Sequence, residues 1–174
     1  MTLADLVGQG VRVLAEGRSS TPDLRNFRGG SKPSFFADPL SWLVAQSVEQ
    51  AVAQCGAEVR SAAEEVGSLL ISDVCSLTTM RQVAERVPSG RLSPLRFSGA
   101  NPGVTATLPA MTFGFTGPSL TLSMTPADGL PWGLVIARCW LVSGQARHVV
   151  LASHRHEPDA GHQVDSAVLT ASAR

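Results

Sequence analysis

Residues 117–130, Gly-Pro-Ser-Leu-Thr-Leu-Ser-Met-Thr-Pro-Ala-Asp-Gly-Leu, constrain the fold most. Leu120 and Leu122 alternate with small hydroxyl residues, as in a short strand with two unlike faces. A tight turn follows, and the next apolar segment reads as a helix extending to about Ser143. Several enzyme folds hold a nucleophile at such a strand-to-helix elbow, where the helix N-terminus stabilises negative charge. The elbow here carries Pro126, which has neither a nucleophilic atom nor an N–H.

The 174 residues read as one principal domain, expected over 37–174, behind an N-terminal strand and partly flexible loop over 1–36. Hydrophobic residues make up 44%, enough for a substantial core, whereas 16% charged is low and fits either surface covered in a complex or simply an Ala/Val-rich globule. Net charge is zero and Lys32 is the one lysine. No basic run exists to track phosphates, so a nucleic-acid partner is not expected. Three scattered cysteines, Cys55, Cys75 and Cys139, and no signal peptide or membrane-spanning run lead us to expect reduced thiols, a cytoplasmic setting and no membrane partner.

Along the chain, 11–15 alternates as a strand, and Gly17 to Ser34, rich in Ser, Gly, Pro and Arg, reads as a long loop. Asp38 and Pro39 form a helix N-cap and first position, and Leu40, Leu43, Val44, Val48, Ala51, Val52 and Cys55 share one face before Gly56. The apolar run 68–72 reads as a strand covered on both faces, and 77–87 as a helix stopped by Pro88. Between Asn101 and Phe115, Pro102 suits a first turn, whereas Pro109 is expected to kink or break a helix. The segment 127–143 is apolar nearly all round and is expected to be a buried helix, its regular part starting at Pro131 and Cys139 a small buried hydrophobe. Strands are expected over 147–153 and 165–171, giving a layered α/β sandwich.

Several stretches resemble the N-terminal half of β-ketoacyl synthases, of the thiolase-like superfamily. Their pattern is Gly-Pro-Ser, a strand, then Thr-Ala-Cys-Ser-Ser, with the Cys attacking an acyl thioester. Gly117-Pro118-Ser119 matches its start, Thr125 falls at the Ala and Pro126 at the Cys. Ser93-Pro94-Leu95-Arg96-Phe97, Asn101-Pro102-Gly103 and Phe113-Gly114-Phe115-Thr116 are similar to the approach to the elbow, and Gly144-Gln145-Ala146-Arg147 to the step after it. The likeness covers roughly 38–169. It implies an α/β fold, the N-terminal half of a thiolase-like domain, with a mixed central sheet flanked by helices. The family's two catalytic histidines lie in its second half, in motifs that His148, His154, His156 and His162 do not match; the chain ends at Arg174, about where the first half ends. Ala127-Asp128-Gly129-Leu130 resembles the Ala-Gly-Gly-Leu that follows Gln at the lost Cys in chain-length factors of type II polyketide synthases. The chain looks most like half-length ketosynthase-like proteins of aryl polyene clusters.

The resemblance implies a non-catalytic subunit with no cofactor of its own. It would pair with a full-length ketosynthase that condenses malonyl units on a phosphopantetheinylated acyl carrier protein. Ser119, Leu120, Thr121, Leu122, Ser123 and Met124 correspond to the family's dimer strand. Left alone they form an apolar edge that natural proteins cover. By position Val74, Thr78, Met80, Val83, Arg96, Phe97 and Asn101 resemble segments that floor or gate the acyl tunnel, with Met80 and Phe97 the candidate stops or else ordinary core. Asp128 either closes the vestigial pocket or contacts the partner, or simply complements the helix dipole. His154, His156, Glu157 and His162 invite a metal reading, but with no accompanying ligand frame they are taken as a surface loop, and no metal is expected. The rival functions are a stand-alone acyl-thioester hydrolase or acyltransferase, and a homodimeric acyl-binding scaffold.

Overall fold

The computed structural model describes residues 10–25, 27, 37–90 and 93–172. Five strands, β1 (Val11–Thr21), β2 (Val66–Ile71), β3 (Ser119–Leu122), β4 (His148–Glu157) and β5 (Gly161–Ala171), form one mixed sheet. Their order is β1–β5–β4–β2–β3. β4, β2 and β3 run parallel, while β5 lies antiparallel to both β4 and β1. Parallel neighbours need long crossovers. The crossover from β2 to β3 contains α3 (Leu77–Arg86), α4 (Pro94–Ser98) and α5 (Thr107–Phe113), and α6 (Pro126–Val142) leads from β3 to β4, while α1 (Pro39–Gln54) and α2 (Ala57–Ser61) join β1 to β2, which are not neighbours.

Alternation along the strands divides the core in two. Leu70, Val150, Val164 and Val168 face α1, which answers with Leu43, Val44, Val48 and Val52. Leu69, Ile71, Leu151 and Leu169 face α6, packing on Leu130, Ala137 and Leu141. Every residue of β2 is buried, as its apolar sequence predicts. The layered α/β class is as expected.

Asp38 is the hinge of this packing. Its Oδ1 accepts the Leu40 N–H of α1 (2.9 Å) and its Oδ2 the Thr79 N–H of α3 (2.9 Å). One buried carboxylate thus satisfies the N-termini of two helices. Burial pushes its pKa up, and the bonds from Leu40 and Thr79 pull it back down.

Three expectations need correction. The strand at the N-terminus does not stop at residue 15 but runs to Thr21, so 17–21 is not loop. Its small residues answer to α1: a Cβ on Gly17 would collide with the Ser47 carbonyl, and the Ser19 hydroxyl donates to the Leu43 carbonyl (2.6 Å). Pro109 sits in the first turn of α5, where no N–H is required, and a 3-10 turn over Pro102–Ala106 precedes it. The largest correction concerns α6. It starts at Pro126 and runs through Pro131, but only Gly129, Leu130, Gly133, Ala137 and Leu141 are buried. Trp132, Val135 and Val142 are 61%, 54% and 67% exposed, and Cys139 is exposed too. One sheet covers one side of a helix, and among the described residues nothing covers the other.

Asp38→Ala should cost about 2–4 kcal/mol in denaturant unfolding, because it removes a cap and strands a buried N–H. Asp38→Asn, keeping one acceptor oxygen, should cost clearly less. Equal losses would mean that the carboxylate does not join the two helices.

Candidate functional site

The elbow forms where β3 ends against the start of α6. Gly129 and Gly133 let that helix press onto β2: a Cβ at Gly129 would overlap the Ile71 side chain, and one at Gly133 would sit 2.9 Å from Ile71 Cδ1. Thr125 is the N-cap, its hydroxyl accepting the Asp128 N–H (3.4 Å) and donating to Asp128 Oδ2 (2.7 Å). Gly129 N–H bonds the Thr125 carbonyl (2.8 Å). Pro126 occupies the first helical position. Of the N–H groups that would stabilise an anion there, Pro126 supplies none, and those of Asp128 and Gly129 are engaged with Thr125. Asp128 therefore caps its own helix, and its carboxylate is exposed.

Next to the elbow lies a polar chain that sequence reasoning missed. Ser123 Oγ lies 3.5 Å from Cys75 Sγ, and the Cys75 thiol donates to the Ser72 carbonyl (3.0 Å). Cys75 has a φ of 40°, the one positive value among described non-glycine residues. Burial pushes its thiol pKa up, opposed by the contacts with Ser123 and Ser72, so the sulfur is held protonated. Ser72 Oγ accepts the N–H groups of Val74 (3.2 Å) and Cys75 (3.0 Å) and therefore donates its proton to His154 Nδ1 (3.0 Å). That fixes His154 as the Nε2–H tautomer, which donates to His162 Nδ1 (3.0 Å). His162 stacks on His156 at 4.3 Å. Burial above all, then the neighbouring His162 and His156, brings the His154 pKa down to about 3. Burial lowers His162 as well, with His156 adding to it and Asp23 opposing.

These histidines are not a surface loop, which corrects the expectation. β4 continues to Glu157, the Pro-Asp-Ala-Gly segment is a hairpin tip, and His154 is fully buried. The period-two spacing of His154 and His156 was the available signal, but the nearby turn residues outweighed it. A cleft of about 620 Å³ opens beside His156 and His162, lined also by Val74, Thr78, Arg81 and Glu85.

The predicted tunnel residues do not converge on one cavity. Val74 and Thr78 line the cleft, and Val83 is buried. Met80 is 38% and Phe97 65% exposed, on α3 and α4. The Arg96 guanidinium donates to Gln82 Oε1 (3.0 Å), and Asn101 Oδ1 accepts the Gly103 N–H (2.8 Å). β3 is an edge of the sheet, with Leu120 38% exposed. Among the described residues no helix is long and apolar enough to cross a membrane.

Neither a protein-family model nor a curated protein matches the sequence. Solved structures do. The ishigamide ketosynthase/chain length factor matches with a TM-score of 0.74 and 13% identity, over 92% of this chain and 62% of that one. The ketosynthase ApeO in complex with its chain length factor ApeC, from Xenorhabdus doucetiae, matches with a TM-score of 0.65 and 12% identity, over 95% and 81%. AntDE:AntF, a type II PKS acyl-carrier protein in complex with its ketosynthase, matches with a TM-score of 0.70 and 12% identity, over 94% and 63%. The chain thus has the thiolase-like fold of the ketosynthases, as the elbow and its flanking motifs predict. It spans less than two thirds of the length of the first and third of these chains.

The His154 chain sets a pH dependence. Unfolded, this imidazole titrates near its ordinary value of 6.5, whereas folded it titrates at about 3. Below about pH 6.5 the unfolded state binds the extra proton, so stability falls on acidification by about 1.4 kcal/mol per pH unit from this residue alone. His154→Gln should flatten the unfolding free energy between pH 6 and 4. An unchanged slope would show that His154 is not held neutral in the fold.

Proposed function

We propose that this protein is a non-catalytic, chain-length-factor-like subunit that pairs with a Cys-containing β-ketoacyl synthase. The observation that carries the reading is Pro126 at the first position of α6, on a ketosynthase fold, at the elbow where a nucleophile would stand. The elbow is also short of free anion-binding donors, so the loss extends beyond one atom. Nearby candidates do not replace it. Cys75 is buried with its pKa raised, and the Ser123 hydroxyl meets the Cys75 thiol rather than a base. The rival reading as a hydrolase or acyltransferase therefore finds no activated nucleophile beside the elbow among the described residues.

Two features support partnership. The β3 edge, Ser119–Leu122 with Ser123 and Met124 beyond it, has no neighbouring strand on its outer side among the described residues. The outer face of α6 carries Trp132, Val135 and Val142, and large apolar patches of this kind mark interaction surfaces. In this reading the partner draws on an acyl carrier protein and carries out the condensation, and this subunit completes the acyl tunnel. Met80 and Phe97, exposed in the isolated chain, then become buried and limit how far a growing chain extends. Val74, Thr78, Val83, Arg96, Asn101 and Asp128 shape the surroundings.

Product analysis of the reconstituted complex tests the ruler role. Phe97→Ala or Met80→Ala should give longer products at comparable turnover; identical product lengths for both remove that role. Pro126→Cys in the isolated chain should give no condensation, since a thiol alone lacks proton-handling partners. Product from that variant would contradict the assignment.

A further inference from the structure

The cleft of about 620 Å³ beside the β4–β5 hairpin is large enough for a small organic molecule. Three separate elements wall it. The hairpin contributes His156 and His162, α3 contributes Thr78, Arg81 and Glu85, and the turn after β1 contributes Asp23 and Arg25. One wall carries a donor whose direction is set from inside the fold. Ser72 Oγ accepts from the Val74 and Cys75 N–H groups, so its proton goes to His154 Nδ1, and His154 Nε2–H then goes to His162 Nδ1. With Nδ1 an acceptor, the neutral His162 ring carries its proton on Nε2, and no described residue accepts that proton. Burial lowers the His162 pKa and so favours this neutral form. Other donors are unspent too. The Thr78 N–H, in the first turn of α3, has no acceptor among the described residues, and their ion pairs leave out Arg25 and Arg81. Of the acceptors, Asp23 Oδ1 already takes the Arg25 backbone N–H (2.9 Å) and Gln82 Oε1 takes the Arg96 guanidinium (3.0 Å).

A recess so rich in donors discriminates between ligand classes. A metal cation does not fit. His162 turns out a proton rather than a lone pair, and among the described residues no three His, Cys, Asp or Glu side chains are placed to hold a metal ion. A carboxylate offers two oxygens in one plane, whereas the donors here come from α3, β5 and the turn after β1. A phosphoryl group, with three terminal acceptor oxygens arranged tetrahedrally, meets all three sides at once. Guanidiniums supply the forked donors that suit it.

We propose that this cleft binds a phosphoryl group, whose oxygens accept from the Arg81 guanidinium, the Thr78 N–H and His162 Nε2–H, with Arg25 adding charge from the turn after β1. Ser72 and His154 are positioning residues, since they decide which His162 nitrogen bears the proton. Asp23 and Glu85 balance the two guanidiniums, so binding draws on aimed donors rather than on net charge. The two carboxylates also favour a phosphate ester whose remainder carries hydroxyl or amino donors. The site stands whether or not the chain pairs with a ketosynthase, because no residue of the elbow or of the β3 edge takes part in it.

Nitrogen-15 NMR of the histidine side chains tests it, on the full chain titrated with inorganic phosphate at about pH 7.5, where the anion is largely doubly charged. His162 should read as the Nε2–H tautomer before any addition. Phosphate should then shift the His162 Nε2–H and Thr78 amide signals saturably, and chloride at matched ionic strength should not. Arg81→Gln should weaken the binding at least about 10-fold, because one charge-assisted contact is lost. Arg81 is exposed, so the unfolding midpoint of that variant should stay where it was. Glycerol 3-phosphate separates the two sources of the group. Tighter binding than inorganic phosphate, with the advantage lost in Glu85→Gln, assigns the site to an organic phosphate; equal binding assigns it to the free ion, and in both the phosphoryl site stands. No saturable shift, a shift that chloride reproduces, or unchanged affinity in Arg81→Gln would overturn it. An Nδ1–H tautomer at His162 would overturn it as well.

Discussion

The close seating of α6 on β2 governs this molecule. Ile71 occupies the space that side chains at Gly129 and Gly133 would claim, so the helix lies low across the sheet. That contact fixes where α6 begins, and hence where β3 must stop and turn. It also determines what is left over. A helix pressed so firmly on one sheet turns its remaining apolar side chains outward, and here these are Trp132, Val135 and Val142. Elbow, open edge and bare helix face follow from one packing decision.

The chemistry around the elbow is conservative rather than reactive. Pro126 offers neither a nucleophilic atom nor an N–H, and Thr125 engages the donors of Asp128 and Gly129. Cys75, close by, is kept as a thiol by burial. The Ser72–His154–His162 chain holds its imidazoles neutral and gives every proton between Ser72 and His162 a defined acceptor. Such a network rigidifies a turn, since a buried polar group stabilises only when its partners are complete. It pins the turn after β2, from which α3 departs toward the cleft.

Much of this was legible locally. Asp38-Pro39 specifies a helix start through its own atoms, and the elbow motif carries its strand, turn and helix within fourteen residues. What failed depended on distant contacts. The second half of β1 looked like loop because its Gly and Ser accommodate α1, a reason invisible in the segment itself. α6 looked fully buried because apolarity does not say which chain supplies the cover. His154 looked solvent-facing because a turn lies close in sequence, whereas its burial comes from the β2 side of the sheet, through Ser72. Of the tunnel candidates, Val74 and Thr78 meet at a cleft, whereas Met80 and Phe97 stand on the surface.

The most direct measurement is malonyl condensation on acyl carrier protein by a Cys-containing ketosynthase, assayed with and without this chain. The account predicts no turnover of any acyl thioester by the chain alone, and condensation whose yield or product length changes when it joins the ketosynthase in a one-to-one complex. Thioester turnover by the chain unaided, or a ketosynthase indifferent to its presence, would contradict it.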